Sequence, residues 1–238
     1  MHKVKNPWYQ ADPAFFAALE REITQAYPQL HFRLRHNIMF LSGSFPLVDG
    51  DRELDRYLIE IEFPPHYPVG VPAVYEIGGR IPRTVDRHVY PATGMACLNL
   101  PVLISGVNPK GMSLLEFLNG SVRSYFIGQS MYEATGEWPF GQWGHGEDGY
   151  YEYYADVLGL TDRKIIASFR EMIRVKEIKV HWLCPCGSGK KVYDCHWEIV
   201  QTLRKDYSHY LEQYGWIINK EQKLAKRNSS ASTSHIQP

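Results

Sequence analysis

Three cysteines and a histidine fall within 13 residues in the segment Cys184-Pro-Cys186-Gly-Ser-Gly-Lys-Lys-Val-Tyr-Asp-Cys195-His196. Three thiolates and an imidazole are a complete donor set for zinc, which favours tetrahedral sulfur and nitrogen coordination. Four protein ligands close such a site and leave no position for catalysis, so the expected role of the Zn2+ is structural. The Gly187-Ser188-Gly189 turn lets the backbone fold tightly around a metal, with amides able to hydrogen-bond the sulfurs. So short a segment has almost no core of its own, and metal binding would supply its folding energy.

The GSGK fragment is not a phosphate loop. The position five before Gly189 is Cys184 where a glycine is needed, and Lys191 stands in place of Ser or Thr. The unit instead resembles the SEC-C zinc motif found at the C-terminus of the preprotein translocase ATPase and appended to many bacterial proteins. Every ligand position of that motif is filled here. The resemblance covers little more than the segment itself and implies a zinc-held interaction module.

The fourth cysteine, Cys97, stands apart. A lone cysteine is more often a small buried hydrophobe than a nucleophile, but its surroundings are distinctive. The upstream segment reads F-P-x-x-Y-P-x-x-x-P-x-V through Phe63, Pro64, Tyr67, Pro68, Pro72 and Val74, and is followed by His88…Gly94-x-x-Cys97-Leu98. Both segments resemble the signature of ubiquitin-conjugating enzymes, and a preceding helix and antiparallel strands come in that family's order. The resemblance spans residues from about 12 to 135 and implies a UBC-like fold with Cys97 as the catalytic thiol. Such a thiol accepts the C-terminal acyl group of a protein modifier as a thioester and passes it on, dividing one hard acyl transfer into two easier ones.

One position departs from the family pattern. The usual His-Pro-Asn becomes His88-Val89-Tyr90, so the asparagine that supports the tetrahedral oxyanion is missing. Donors of that kind are worth about 10²–10³ in rate. Asn99, Asn108 or backbone amides are the candidate substitutes, and His88 is expected to brace the loop rather than act as a base. Trp138, Trp143 and His145 read mainly as packing residues.

The segment IPRTVDRHVY, the aromatic loop EWPFGQWGHG and the zinc unit together resemble the ubiquitin-conjugating-like transferases of bacterial anti-phage CBASS operons. That resemblance implies a partner: the C-terminus of a cGAS/DncV-like nucleotidyltransferase, or another protein modifier, delivered with or without an activating enzyme. The rival reading is a catalytically inactive UBC-like module that holds a partner's C-terminal tail.

These residues need elements to position them. Asp12-Pro13 followed by apolar Phe15, Phe16, Leu19, Ile23 and Ala26 predicts an N-capped helix ended by Pro28. Strand-like alternation follows in LHFRLRHNIMFLSG, SFPLV and RYLIEIEF. In the last of these Tyr57, Ile59, Ile61 and Phe63 share one face, with Leu58, Glu60 and Glu62 on the other. Asp49-Gly50-Asp51 is a turn signal. Prolines at 64, 65, 68, 72, 82, 91, 101 and 109 forbid a helix through that region, and so long an irregular stretch usually carries function. Helices are expected at about 112–134, 149–158, 162–178 and 197–226.

The fold class is therefore α+β, with a four-stranded antiparallel meander. The expected organisation is a conjugating domain over 1–160, a helical connector over 161–180, the zinc unit over 181–200, a helix over 201–226 and a disordered tail over 227–238. Net charge is zero overall but −6 over residues 1–160 and +6 over 161–238. The second half reads as a solvated basic helical face, and it lacks the stacking aromatics and basic stripe of a nucleic-acid binder. No apolar run approaches the ~20 residues of a bilayer span, and no secretory leader pattern is present. Four cysteines with metal-like spacing, rather than a disulfide framework, point to the cytoplasm.

Overall fold

The computed structural model describes residues 6–98, 113–139 and 147–233. They form two compact units: residues 6–98, 113–139 and 213–233 make one, and residues 147–212 the other.

In the first unit a short helix α1 (Trp8–Ala11) leads into α2 (Pro13–Ala26). The Asp12 carboxylate accepts the Phe15 amide at 2.9 Å, so the cap falls at the expected residue. α2 buries Leu19 and Ile23, and Phe15 and Phe16 pack at the margin of the same core. Ala26 is exposed and takes no part in that stripe.

Strands β1 (Leu30–Arg35), β2 (Ile38–Asp49), β3 (Arg52–Glu62) and β4 (Ala73–Glu76) form an antiparallel sheet in sequential order. IMFLSG and SFPLV, read as separate runs, are one continuous strand. Pro46 interrupts nothing because β1 pairs only with residues 38–43, leaving that side of β2 open at Pro46. In β3, Tyr57, Ile59 and Ile61 are at most 1 % exposed, each burial contributing about 1.5–3 kcal/mol. Leu58 faces outward, half exposed. Glu62, assigned by alternation to the polar face, is buried all the same. Phe63 continues the core, where Trp8 lies 5.4 Å from its ring and 4.9 Å from that of Tyr67. The F-P-x-x-Y-P segment is therefore anchored by aromatic packing under α1.

From Ser113 the chain forms α3 (Leu114–Phe117), capped reciprocally by Ser113 and Glu116. A π-turn (Leu118–Val122) links it to α4 (Arg123–Thr135). Phe126 of α4 rests on Tyr57 at 4.6 Å and on Phe45 at 6.0 Å, closing the core over the inner face of the sheet.

The second unit contains α5 (Glu147–Leu158), α6 (Arg163–Arg174) and the first part of α7 (Trp197–Thr233). Its core joins Tyr153, Tyr154 and Leu158 of α5 to Ile166, Phe169 and Ile173 of α6 and to Val200 and Leu203 of α7. α5 thus packs with the second unit, whereas the sequence grouped it with residues 1–160. Buried Arg170 lies within cation–π distance of Tyr150, Tyr151 and Tyr154, at 5.6, 5.2 and 5.9 Å. α6 stops at Arg174 rather than 178 because Val175 turns to extended backbone (ψ 149°). α7 runs to Thr233, so residues 227–233 of the expected disordered tail are helical, and residues 234–238 lie outside the described residues. Among the described residues no helix is long and apolar enough to cross a membrane.

A close approach at Gly43 fixes the β1–β2 register. Its φ is +151°, and a Cβ there would lie 1.9 Å from the Gln29 carbonyl oxygen. Gly43→Ala is expected to cost about 3 kcal/mol or more, since the clash is with backbone that cannot rotate away. A urea midpoint equal to that of the unaltered protein would contradict this.

Candidate thiol site and metal centre

Residues 88–97 fold back as a short hairpin on the free edge of β4. Tyr75 bridges Met95 and Val89 bridges Ala96, both antiparallel. The Ala96 amide donates to the Val74 carbonyl (2.8 Å) and the Tyr90 amide to the Met95 carbonyl (2.9 Å). The Cys97 amide donates to the His88 carbonyl at 2.7 Å, so the half-buried cysteine ends the hairpin on a fixed backbone. His88 itself takes a left-handed conformation (φ +47°), uncommon outside glycine, at the end of a 3₁₀ turn over Val85–Arg87.

That turn is held from α4. The Tyr125 hydroxyl donates to the Arg87 and His88 carbonyls, each at 3.3 Å. Burial holds this hydroxyl protonated far above its usual range, which keeps it a donor. The Gln129 amide donates to the Arg87 carbonyl at 2.6 Å, and Arg87 Nε returns a bond to its oxygen at 2.9 Å. Trp138 donates to the Asp86 carbonyl (2.9 Å) and meets the His88 ring edge-on at 4.4 Å. Gly128 makes room for that indole, since a Cβ there would lie 2.7 Å from it. His88 therefore braces the hairpin through both its carbonyl and its ring. Asn99, Asn108, Trp143 and His145 lie outside the described residues.

Sequence reasoning missed Tyr125 and Gln129, and with them the ion network beside them. Arg80 makes a two-point pair with Asp55 (2.7 Å for each bond) and reaches Glu133 at 2.7 Å. Its guanidinium lies 4.4 Å over the Tyr57 ring. Glu133 also pairs with Arg87 at 3.2 Å. Ser130 donates to Asp55 at 2.5 Å. The signal available was the i, i+4 stripe Tyr125-Gln129-Glu133 on one face of α4. The chain from 80 to 88 is thus tied to α4 along its length.

The second constellation does assemble. The ligating atoms of Cys184, Cys186, Cys195 and His196 lie within 4.8 Å of one another. His196 Nδ1 is 3.3 Å from Cys184 Sγ and 3.1 Å from Cys195 Sγ, and the sulfurs of Cys186 and Cys195 are 3.5 Å apart. A tetrahedral site with metal–sulfur bonds of about 2.3 Å has edges of roughly 3.5–3.8 Å, so the donors are spaced to hold a metal ion.

Local backbone explains the placement. The Cys184 amide donates to the Lys190 carbonyl (2.8 Å) and the Val192 amide to the Trp182 carbonyl (2.8 Å), forming a tight loop. Gly187 and Gly189 turn it at φ +80° and +72°. A 3₁₀ turn over Val192–Asp194 then delivers Cys195 and His196 to the start of α7.

The thiols are pushed in opposite directions. Burial raises Cys184 to about 12, while the Ser188 hydroxyl, 3.2 Å from Cys186, lowers that thiol to about 7. Three thiolates could share such a space only with a cation between them, which is what the donor set would hold.

Comparison of the chain with family models, curated proteins and solved structures gives no match. Fold and site together define an α+β protein with a four-stranded antiparallel sheet, a braced cysteine hairpin at its edge and a Cys3His cluster suited to a metal ion.

This geometry can be tested at both places. Hydrogen bonds from Arg80 lower the Asp55 carboxyl from 3.8 to about 2. A depressed folded-state value means that its contribution is complete above about pH 4 and lost as pH falls towards 2, about 1–2 kcal/mol after allowance for solvent screening. Asp55→Asn should therefore lower stability by that amount at neutral pH, with the gap from the unaltered protein closing at the acid end; a gap independent of pH contradicts it. Elemental analysis of purified protein should find one metal ion per chain, absent from a Cys184→Ser/Cys195→Ser double variant. Metal content unaltered in that variant, or none in the original, would defeat the assignment.

Proposed function

We propose that this protein is a ubiquitin-conjugating-like transferase in which Cys97 carries an acyl group as a thioester. The observation that carries the reading is the Cys97 hairpin. A half-buried thiol ends a backbone pinned to His88, at the edge of the strand that follows the Pro-rich loop whose residues resemble the conjugating signature. A cysteine meant only to fill a core needs no left-handed turn and no clamp from Tyr125 and Gln129 behind it.

In the proposed reaction the Cys97 thiolate attacks the activated C-terminal carbonyl of a partner protein, and the activating group leaves. A nucleophile on the acceptor, such as an amine, then attacks the thioester and Cys97 departs as thiolate. The fixed hairpin positions the sulfur for both steps without reorganisation. Val89 and Tyr90 occupy the positions of the usual Pro-Asn pair, so the oxyanion is supported by another donor, Asn99 being the first to test.

The partner we infer is the C-terminus of a cGAS/DncV-like nucleotidyltransferase. The proposed setting is anti-phage CBASS signalling in a bacterial cytoplasm, with conjugation regulating second-messenger output. The metal we assign to the Cys3His cluster is zinc, in a structural role, because the soft thiolate-rich donor set and closed tetrahedron suit it. These readings rest on the sequence resemblances and on the donor chemistry.

The test is to incubate the protein with the nucleotidyltransferase, ATP and an activating enzyme, and to run non-reducing gels. An adduct that forms, disappears with thiol reductant and is lost in Cys97→Ala is expected. Retention of the partner with no such adduct would replace the transferase with a binding module that holds a tail.

A further inference from the structure

From Gln213 onward α7 packs against the first unit, more than a hundred residues beyond the thiol hairpin in sequence. The Val71 amide donates to the Gln213 carbonyl and Trp216 Nε1 donates to the Val71 carbonyl, both at 3.0 Å. One residue of the β3–β4 loop is thus held by both of its backbone groups. Gly70 beside it has φ +98°, and a Cβ there would come within 3.3 Å of the Gln213 oxygen, so the approach is close. Ile217, 6 % exposed, packs with Ala73 and Met95 in a small cluster flanked by Tyr75 and Tyr90. One turn further on, Lys220 pairs with Glu62 and donates to the Tyr75 hydroxyl at 3.1 Å. That pairing accounts for a carboxylate only 7 % exposed on the outer face of the sheet, where an unpaired charge would be strongly disfavoured.

Met95 stands two residues before Cys97, and Tyr90 two residues after His88. The hairpin hangs on β4, an edge strand of four residues, and so short a pairing is weak alone. Tyr125, Gln129 and Trp138 hold its His88 end, while the Ile217 cluster covers Met95 and Tyr90. We propose that Gln213–Lys220 is a strap that sets the position and reactivity of the Cys97 hairpin, with Ile217 as its principal positioning residue. Its side chain packs on Met95, through which it acts on the hairpin. The proposal rests on the reading of Cys97 as a reactive thiol, but its test requires no partner protein and no thioester.

The full-length protein and its Ile217→Ala, Ile217→Leu and Trp216→Phe variants would be compared in two ways. Amide hydrogen exchange reads the strap and the hairpin. Mass spectrometry of the Cys97 peptide after iodoacetamide treatment, across neutral to alkaline pH, reads the thiol. In Ile217→Ala the Val71, Ala96 and Cys97 amides should exchange about tenfold faster or more, while amides within the β2–β3 pairing keep their protection. Cys97 should alkylate roughly threefold faster or more, with a displaced pH profile, and Ile217→Leu should restore both. Trp216→Phe keeps an aromatic ring and loses one hydrogen bond, so it should give the same pattern at smaller size even if Ile217→Ala fails to fold. Faster exchange at Val71 with an unchanged Cys97 rate and pH profile would overturn the proposal. So would uniform acceleration of all amides, which would make Ile217 a general core residue. Failure of the unaltered protein to form a thioester, with these readouts as expected, would count against the acyl-transfer reading and leave the strap standing.

Discussion

The carbonyl groups of Arg87 and His88 take four hydrogen-bond contacts between them, two sharing the single Tyr125 proton, and the Cys97 hairpin depends on that convergence. The Tyr125 hydroxyl donates to both, Gln129 donates to the first, and the Cys97 amide donates to the second. A fifth bond, from the Arg87 side chain back onto Gln129, locks the residue that carries the first of these oxygens. Backbone carbonyls are obligatory acceptors, so aiming buried donors at them fixes a chain that has no helix or long strand of its own. The left-handed geometry of His88 is the strain that such a site stores, and the surrounding bonds over-determine it. Helix α4 supplies one side of this clamp and the Cys97 amide the other, while Trp138 holds the neighbouring Asp86 carbonyl.

Much of the scaffold was legible in the sequence because its causes are local. Asp12-Pro13 capped α2 as read, and the period-two run in β3 put Tyr57, Ile59 and Ile61 in the core. The Cys3His cluster was legible for the same reason: its ligands lie within one short loop and the turn after it, so spacing and glycine positions nearly determine the geometry. What escaped was long-range. The partners Asp55, Arg80 and Glu133 are brought together only by the assembled sheet and helix. The joining of two runs through Pro46 depended on how far β1 extends, and the burial of Glu62 depended on Lys220, 158 residues away. The grouping of α5 with residues 1–160 also fails on a long-range contact, since Tyr153, Tyr154 and Leu158 pack on α6 and α7.

The two cysteine sites use opposite physical strategies. At Cys184, Cys186 and Cys195 the sulfurs converge within a few ångströms, a geometry that three thiolates could adopt only around a cation. At Cys97 the single half-buried sulfur stands on a backbone held by its neighbours, as the proposed thioester role requires. Spacing and resemblance separate the three from the one in the sequence, and the ligating atoms of the three do converge with His196.

Acyl attachment at residue 97 can be tested by trapping the adduct and mapping it. In a Cys97→Ser variant the linkage becomes an oxygen ester that survives reductant and can be located by mass spectrometry after proteolysis. The partner's C-terminal residue should be found joined to position 97 and released by mild base. Attachment mapped to the 184–196 segment would contradict it. So would the absence of any ester in the Cys97→Ser variant beside an adduct of the unaltered chain that maps away from Cys97.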